Sequence, residues 1–193
     1  MSKRKIIIVA VCCAFIAICS VAGTIAWLNA DSSALINMFT PGKVSCYVEE
    51  TFDGTTKSGV RIENTGNIDV YIRVKLVPTL KDASGNIYAK TPVQNTDYSL
   101  DLNTGSWFLG SDGFYYCKAR IASPARDESG IISTASYTDI LINSCTAFER
   151  SDGLTFDLQI LAETIQADPS TTVTAAWKTV SVDQYGQLQT GGA

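Results

Sequence analysis

The sequence contains no histidine. Ser-His-Asp and Cys-His hydrolase sites need an imidazole that accepts a proton near neutral pH, so this chain does not supply them. Zinc sites built on imidazole, including His-Glu-x-x-His, are excluded for the same reason. The main hydrolytic mechanisms that a sequence motif can reveal are therefore absent.

Cysteine is scarce and unevenly placed. Three of the six cysteines lie within the first 19 residues, and Cys46, Cys117 and Cys145 remain, with no Cys-x-x-Cys pair. An odd number of dispersed cysteines does not make a disulfide framework. Strand alternation turns Cys46 and Cys117 toward the core, so we interpret these residues as small buried hydrophobes. A single disulfide, for example Cys117 with Cys145, and a soft-metal site are the alternatives.

The only long uncharged apolar run is at the beginning of the sequence, where Lys3, Arg4 and Lys5 precede Ile6–Cys19. Small residues follow, and this order is typical of a secretory signal peptide. We predict an apolar signal helix over residues 1–26, with Thr24 and Ala26 before the cut and Trp27 after it. Cleavage after Ala22, or retention as a membrane anchor, are the alternatives.

Removal of residues 1–26 takes three cations away and moves the formal charge from −4 to −7. An acidic chain has no electrostatic footprint for nucleic acid, so none is expected as a partner. We expect a secreted protein, extracellular or associated with the cell surface, that meets the membrane only through its signal segment.

The remaining chain lacks sustained helical periodicity and alternates with period two. In "DVYIRVKLV", Val70, Ile72, Val74 and Leu76 face one way and polar residues face the other, which is typical of a half-buried antiparallel strand. "KVSCYVEE", "FYYCKARI" and "LTFDLQILAE" alternate similarly, and Gly- and Asn-containing turns separate such runs. We therefore predict one all-β domain, an antiparallel β-sandwich, over residues 27–193.

Several finer expectations follow from local pattern. Further strands are predicted near 59–63, 98–102, 107–109, 137–143 and 173–182, and short helical pieces near 33–38 and 170–177, the second capped by Ser170. The loop-rich stretch 82–113 resembles an insertion or an elaborated hairpin.

Candidate chemical sites have ordinary structural explanations. "DASGN" (82–86) is better explained as a hairpin turn than as a calcium loop, because it lacks the acidic series and closing Glu. Trp107-Phe108 and Tyr115-Tyr116 fit a core with a cross-strand aromatic ladder, or a sugar-binding platform. Paired carboxylates for glycoside hydrolysis are not indicated. We predict no catalytic residue, metal or cofactor.

Three groups of residues resemble the TasA and camelysin family of exported proteins from monoderm bacteria. The first covers the signal end and the stretch after it, the second the turn "ENTGN" and the strand that follows, and the third "ILAETIQADP". In order, the matching residues are Gly23, Thr24, Ala26, Trp27, Asn37, Phe39 and Gly42; Asn64, Thr65, Gly66, Asn67, Tyr71 and Arg73; and Ala162, Glu163, Ile165, Gln166 and Trp177.

The resemblance implies processing by a SipW-type signal peptidase and a jelly-roll β-sandwich. TasA-type members form biofilm matrix fibres in which the segment after the cut, here 27–42, is donated as a strand to a neighbour. The donated side chains would be Trp27, Leu28, Leu35, Ile36, Met38 and Phe39.

We therefore expect a structural protein that forms a homo-oligomer or fibre. The alternatives are packing of this segment on its own domain and a surface binding module or adhesin accessory that does not polymerise. A camelysin-like peptidase is a third alternative, but its activity is not carried over from the resemblance, because the histidine-based metal site is missing.

Overall fold

The computed structural model of the protein describes residues 41–191, whose regular elements are strands and one short helix joined by turns and loops. The elements are β1 (Cys46–Phe52), β2 (Thr56–Asn64), β3 (Val70–Lys81), β4 (Ile87–Tyr88), β5 (Tyr98–Leu102), β6 (Trp107–Leu109), β7 (Tyr115–Cys117), β8 (Ala125–Arg126), β9 (Ile132–Thr134), β10 (Ser136–Tyr137), β11 (Ile142–Ala147), β12 (Thr155–Gln166), α1 (Ser170–Ala176), β13 (Val180–Val182) and β14 (Leu188–Thr190). The predicted all-β class is confirmed. The predicted signal helix and the helical piece at 33–38 lie outside the described residues.

Most strands belong to two five-stranded sheets, and the neighbouring strands within each sheet are antiparallel. Sheet A has the order β1-β2-β11-β5, with β10 also paired to β2, and sheet B has the order β12-β3-β7-β6, with β4 beside β3. The chain crosses from sheet A to sheet B after β2, after β5 and after β11. Strands β1 and β12 are consequently end strands of different sheets.

The two sheets share one buried cluster, so they pack face to face. Val70, Ile72 and Val74 of β3 are fully buried there, as their alternation predicts. Across from them, sheet A contributes Val60 and Ile62 of β2. Burial of each such side chain stabilises the fold by roughly 1.5–3 kcal/mol, which makes this cluster the main source of stability.

A second buried cluster lies on the outer face of sheet B. Alternation places Tyr71 on the polar side of β3, and the expectation that this side faces solvent is wrong at Tyr71, which is 2% exposed. Tyr116, one of the aromatic residues for which a core position was favoured, is 0% exposed in the same cluster. Helix α1 and the β13–β14 hairpin cover them, chiefly through Val173, Trp177 and Leu188. Alternation identifies the two faces of a strand but not which distant segment covers each face.

The predicted strand at 137–143 is interrupted. β10 ends at Tyr137 and β11 begins at Ile142, because the hydroxyl of Thr138 replaces a backbone acceptor and receives the Ile62 N–H at 3.0 Å. Both short strands nevertheless pair with β2.

Four other expectations need correction. The segment 173–182 is the end of α1 followed by β13, rather than one strand. The helix begins at Ser170 as expected, but Pro169 occupies the N-cap and no side chain caps it. The stretch 82–113 is no insertion, because its strands β5 and β6 are the end strands of sheets A and B. Val44, which alternation in "KVSCYVEE" places on the same face as Cys46, is 44% exposed rather than packed in the core.

Candidate functional site

The end strands β1 and β12 lie side by side along one margin of the two sheets, and we call this margin the seam. Near one end, the Cys46 thiol donates to the Ala162 carbonyl, with 3.9 Å between sulfur and oxygen. Toward the other end, Phe52 and Phe156 line one cavity. Since the start of β1 meets the later part of β12, the two strands run in opposite directions across the seam.

Two cavities follow the seam. A cleft of about 460 Å³ lies between residues 47–50 of β1 and residues 157–161 of β12. A second cavity of about 350 Å³ continues from it, and both are lined by Lys57, Asp157 and Leu158. The walls of the second cavity include several apolar side chains, namely Phe52, Cys145, Phe148, Leu154, Phe156 and Leu158.

Apolar side chains and unpaired backbone edges coincide at the seam. Phe52 is 58% exposed and Leu161 is 52% exposed. Within residues 41–191, β1 pairs only with β2, and β12 pairs only with β3. An exposed edge with apolar neighbours is a template for another strand, whose main chain supplies hydrogen bonds while alternate side chains fill pockets.

Charged residues near the seam are largely paired. Lys57 contacts Glu50 at 2.7 Å, and Lys81 contacts Asp157 at 2.6 Å. Burial raises the pKa of the Cys145 thiol to about 11, so this wall of the second cavity is a neutral thiol at physiological pH. A thiol without thiolate character is a poor nucleophile. The seam is therefore suited to binding a chain segment and lacks an activated nucleophile at this position.

The turn matched to the family, "ENTGN", holds the chain just before β1. Asn67 accepts the Lys43 N–H on its side-chain oxygen at 2.6 Å, and its own N–H donates to the Lys43 carbonyl at 3.1 Å. A side chain on Gly66 would bring its Cβ to 2.2 Å from that carbonyl oxygen. Only glycine permits this close approach.

Asn64 completes the turn from a fully buried position. Its side-chain nitrogen donates to the carbonyls of Ile68 and Ala122, each at 2.9 Å, and its oxygen accepts the Gly66 N–H at 2.9 Å. These contacts satisfy buried polar groups that would otherwise be costly. Asn64, Gly66 and Asn67 thus fix the point at which the preceding segment leaves the domain.

Among the other matched residues, Tyr71, Arg73 and Glu163 lie on the outer face of sheet B, whereas Gln166 lies opposite the core-facing Val70. Arg73 and Glu163 are directly opposite in the β3–β12 register, with 2.7 Å between guanidinium and carboxylate. The Tyr71 hydroxyl donates to the Gly186 carbonyl at 2.7 Å, and the Gln166 amide donates to the Asp168 carbonyl at 3.0 Å. These contacts chiefly join sheet B to the C-terminal part of the chain. The remaining predicted residues, Thr24, Ala26, Trp27, Leu28, Leu35, Ile36, Met38 and Phe39, lie outside the described residues.

The aromatic pairs have the core positions that the sequence favours. Trp107 is 1% exposed in the first cluster, and Phe108 stacks on Tyr116 with ring centroids 5.5 Å apart. The "DASGN" segment is a hairpin turn in which the Asp82 carboxylate accepts the N–H groups of Ser84 and Asn86, both at 2.9 Å.

The cysteines within residues 41–191 are free thiols, Cys46 partly buried, Cys117 and Cys145 fully so. Among the same residues, no group of three or more Asp, Glu or Cys side chains is arranged to hold a metal ion. No helix within residues 41–191 is long and apolar enough to cross a membrane.

The seam itself was missed by sequence reasoning. Its apolar residues come from strands far apart in sequence, and only one of them carries a local signal. Leu161 follows Ile160 and therefore breaks the alternation of β12 with an apolar residue on the polar side.

Comparisons with protein-family models, with curated proteins and with solved structures find no match to this chain.

Proposed function

We propose that this protein is a secreted structural subunit of the extracellular matrix or cell surface, and that it self-associates by strand donation. The donated strand is the segment 27–42 of one copy, and the acceptor is the seam of the next. The observation that carries this proposal is the coincidence, within residues 41–191, of two unpaired strand edges with an apolar cavity at the seam.

The point at which the described domain begins, relative to the seam, supports transfer between copies. The "ENTGN" turn holds Lys43 at the start of β1, whereas the second cavity lies at Phe52, at the other end of that strand. A segment that left the domain at Lys43 would have to reverse direction to fill the cavity of its own copy. Donation to a neighbour needs no such reversal.

The segment has suitable length and composition. Residues 27–40, when extended at ~3.3 Å per residue, span roughly 46 Å, which exceeds the length of β12. Trp27, Leu28, Leu35, Ile36, Met38 and Phe39 supply the apolar side chains, and Pro does not occur before position 41. Because β1 and β12 run in opposite directions, an inserted strand would be antiparallel to one and parallel to the other.

The jelly-roll connectivity, signal cleavage after Ala26 and the SipW-type peptidase belong to the same proposal. The three crossings from sheet A to sheet B are consistent with a jelly roll. The motif resemblance supports the processing steps, and cleavage is what would free Trp27 to enter a neighbour.

The test compares the chain 27–193 with a chain that begins at Pro41. Light scattering and electron microscopy should show oligomers or fibres for the first and monomers for the second, at equal concentration and physiological salt. A peptide of residues 27–40 should bind the shorter chain with one-to-one stoichiometry. Matching circular dichroism spectra of the two chains are the control for folding, and the assembled chain should have the higher unfolding midpoint. Monomers in both samples would contradict strand donation.

A further inference from the structure

The two sheets differ in what covers their outer faces. Helix α1 and the β13–β14 hairpin bury the outer face of sheet B. In the part of the chain that the structure describes, no comparable layer lies over sheet A, and Tyr47 on its outer face is 62% exposed. A large aromatic ring held on a rigid sheet and left in water is a common feature of binding surfaces.

Strand register places two tyrosines and a glutamate in one row. Tyr47 of β1 and Tyr137 of β10 are both paired with Glu63 of β2, from opposite sides. Cys46 and Val48 pack on the core, so Tyr47 points outward, and directly opposed residues share its face. We call Tyr47, Glu63 and Tyr137 the tyrosine row.

The spacing of the tyrosine row follows from sheet geometry. Neighbouring strands are ~4.8 Å apart, so the two tyrosines are roughly 10 Å apart with the carboxylate between them. This separation is close to the length of a disaccharide of hexopyranose rings.

The charged groups in and beside the row are two carboxylates and one guanidinium. Arg61 is paired with Glu49 at 2.7 Å and lies over the Tyr137 ring, with 3.9 Å between its Cζ and the ring centroid. Glu63 accepts no hydrogen bond and forms no ion pair within residues 41–191, but the Glu49 hydrogen bond and the charge of Glu63 both raise the pKa of Arg61. Glu49 and Glu63 thus share one guanidinium, and the one net negative charge left beside the exposed Tyr47 ring is complementary to an ammonium group.

Amino sugars present the matching chemistry in every unit of a polymer. The axial C–H face of a pyranose ring packs on an aromatic ring, and a protonated amine pairs with a carboxylate and with the negative face of tyrosine. The paired hydroxyls of Ser45 and Thr65, 2.9 Å apart, adjoin the row and offer donors and acceptors for sugar hydroxyls.

We propose that the tyrosine row binds a polysaccharide chain that carries free amino groups, a β-linked glucosamine polymer, laid across β1, β2 and β10. This site is separate from strand donation and does not depend on it. It gives the protein a contact with matrix polysaccharide in addition to contacts between copies.

The test titrates the secreted protein with β-1,4-linked glucosamine oligosaccharides and with their fully N-acetylated counterparts, using calorimetry below pH 6.5 so that the amines are protonated. The free-amine ligand should bind more tightly. Tyr47→Ala should weaken binding about fivefold, the effect of one exposed cation–π contact. Glu63→Gln should abolish the preference for free amines while leaving the protein folded.

Matched controls separate a built site from general attraction between a polycation and an acidic protein. Glu128→Gln removes one exposed charge elsewhere, and Tyr88→Ala removes a tyrosine that is 52% exposed on β4. Both should bind like the parent protein. Because Tyr47 also lines the seam cleft, Tyr137→Ala is measured beside it, and light scattering records the assembly state of each variant.

Equal affinity for acetylated and free-amine ligands, or equal weakening by the control variants, would overturn the proposal. Failure of assembly in the same samples would bear on strand donation alone, because ligand binding and assembly state are measured separately.

Discussion

The guanidinium of Arg73 lies over the ring of Phe114, with 4.0 Å between Cζ and the ring centroid. The same guanidinium is 4.9 Å from the Trp177 ring and pairs with Glu163. Arg73 thus links β3, β12 and the C-terminal layer through one planar group. A partly buried planar cation between aromatic rings is a role to which arginine is better suited than lysine.

Replacing Arg73 should loosen the C-terminal layer. We expect Arg73→Ala to lower the free energy of unfolding by about 2–4 kcal/mol, because it removes charge-assisted hydrogen bonds and cation–π contacts together. Arg73→Lys should retain the charge and cost less. Urea unfolding followed by circular dichroism measures both, and an unchanged midpoint for Arg73→Ala would contradict this role.

Gly66→Ala should disrupt the hydrogen bonds by which the "ENTGN" turn holds Lys43. The new methyl carbon would lie 2.2 Å from the Lys43 carbonyl oxygen, so the backbone must shift. We expect a loss of about 2–4 kcal/mol in unfolding free energy. Gly105→Ala is the matched control, since its nearest neighbour is the Asn103 side-chain oxygen at 3.1 Å, and it should change stability by less than about 1 kcal/mol. Similar effects at both positions would show that close approach is not what Gly66 provides.

A charge on the seam should impair assembly without unfolding the subunit. Leu161 of β12 is 52% exposed, and Leu109 of β6, on the opposite end strand of sheet B, is 56% exposed. We expect Leu161→Lys to raise the concentration required for assembly about tenfold, because a lysine replaces an apolar contact. Leu109→Lys should assemble normally, as judged by light scattering.

Thiol reactivity should follow burial. Burial raises the pKa of Cys117 to about 12 and that of Cys145 to about 11. Native protein treated with iodoacetamide at pH 8 should therefore be alkylated at Cys46 first, and at the other two only after unfolding. Peptide mass spectrometry reads each site, and rapid alkylation of Cys117 in folded protein would contradict its placement in the core.

Stability should be nearly independent of pH in the neutral range. Above pH ~9 the unfolded thiols ionise while Cys117 and Cys145 stay protonated up to their raised pKa values, so stability falls toward pH ~12. In acid, the pKa of Asp69 is lowered by the Ser123 N–H and by Arg120, so its contribution is present above pH ~4 and lost below it.

Because the chain has no histidine, no imidazole titrates between the acid and alkaline ranges to change its stability. Urea midpoints measured from pH 3 to 11 in reductant test this. A marked change between pH 5 and 8 would contradict it.

Local pattern predicted much of the fold. The alternation of Val70, Ile72 and Val74 identified the core face of β3, and the turn residues of "DASGN" identified its hairpin. The interruption at Thr138 was not predictable, because a side chain there takes the place of a backbone acceptor from β2. Motif resemblance selected Asn64, Gly66 and Arg73, but their structural roles became clear only from contacts between distant residues.

The sequence by itself determined the strand class, the turns and the chemistry that is missing, because these depend on residue type and on spacing of a few positions. Only the tertiary structure decided which faces are covered and which edges meet. Tyr71 is buried and Tyr47 exposed, although both alternate out of the central core, because the chain after Gln166 folds over sheet B. The seam exists because the end strands β1 and β12, over a hundred residues apart, lie next to each other.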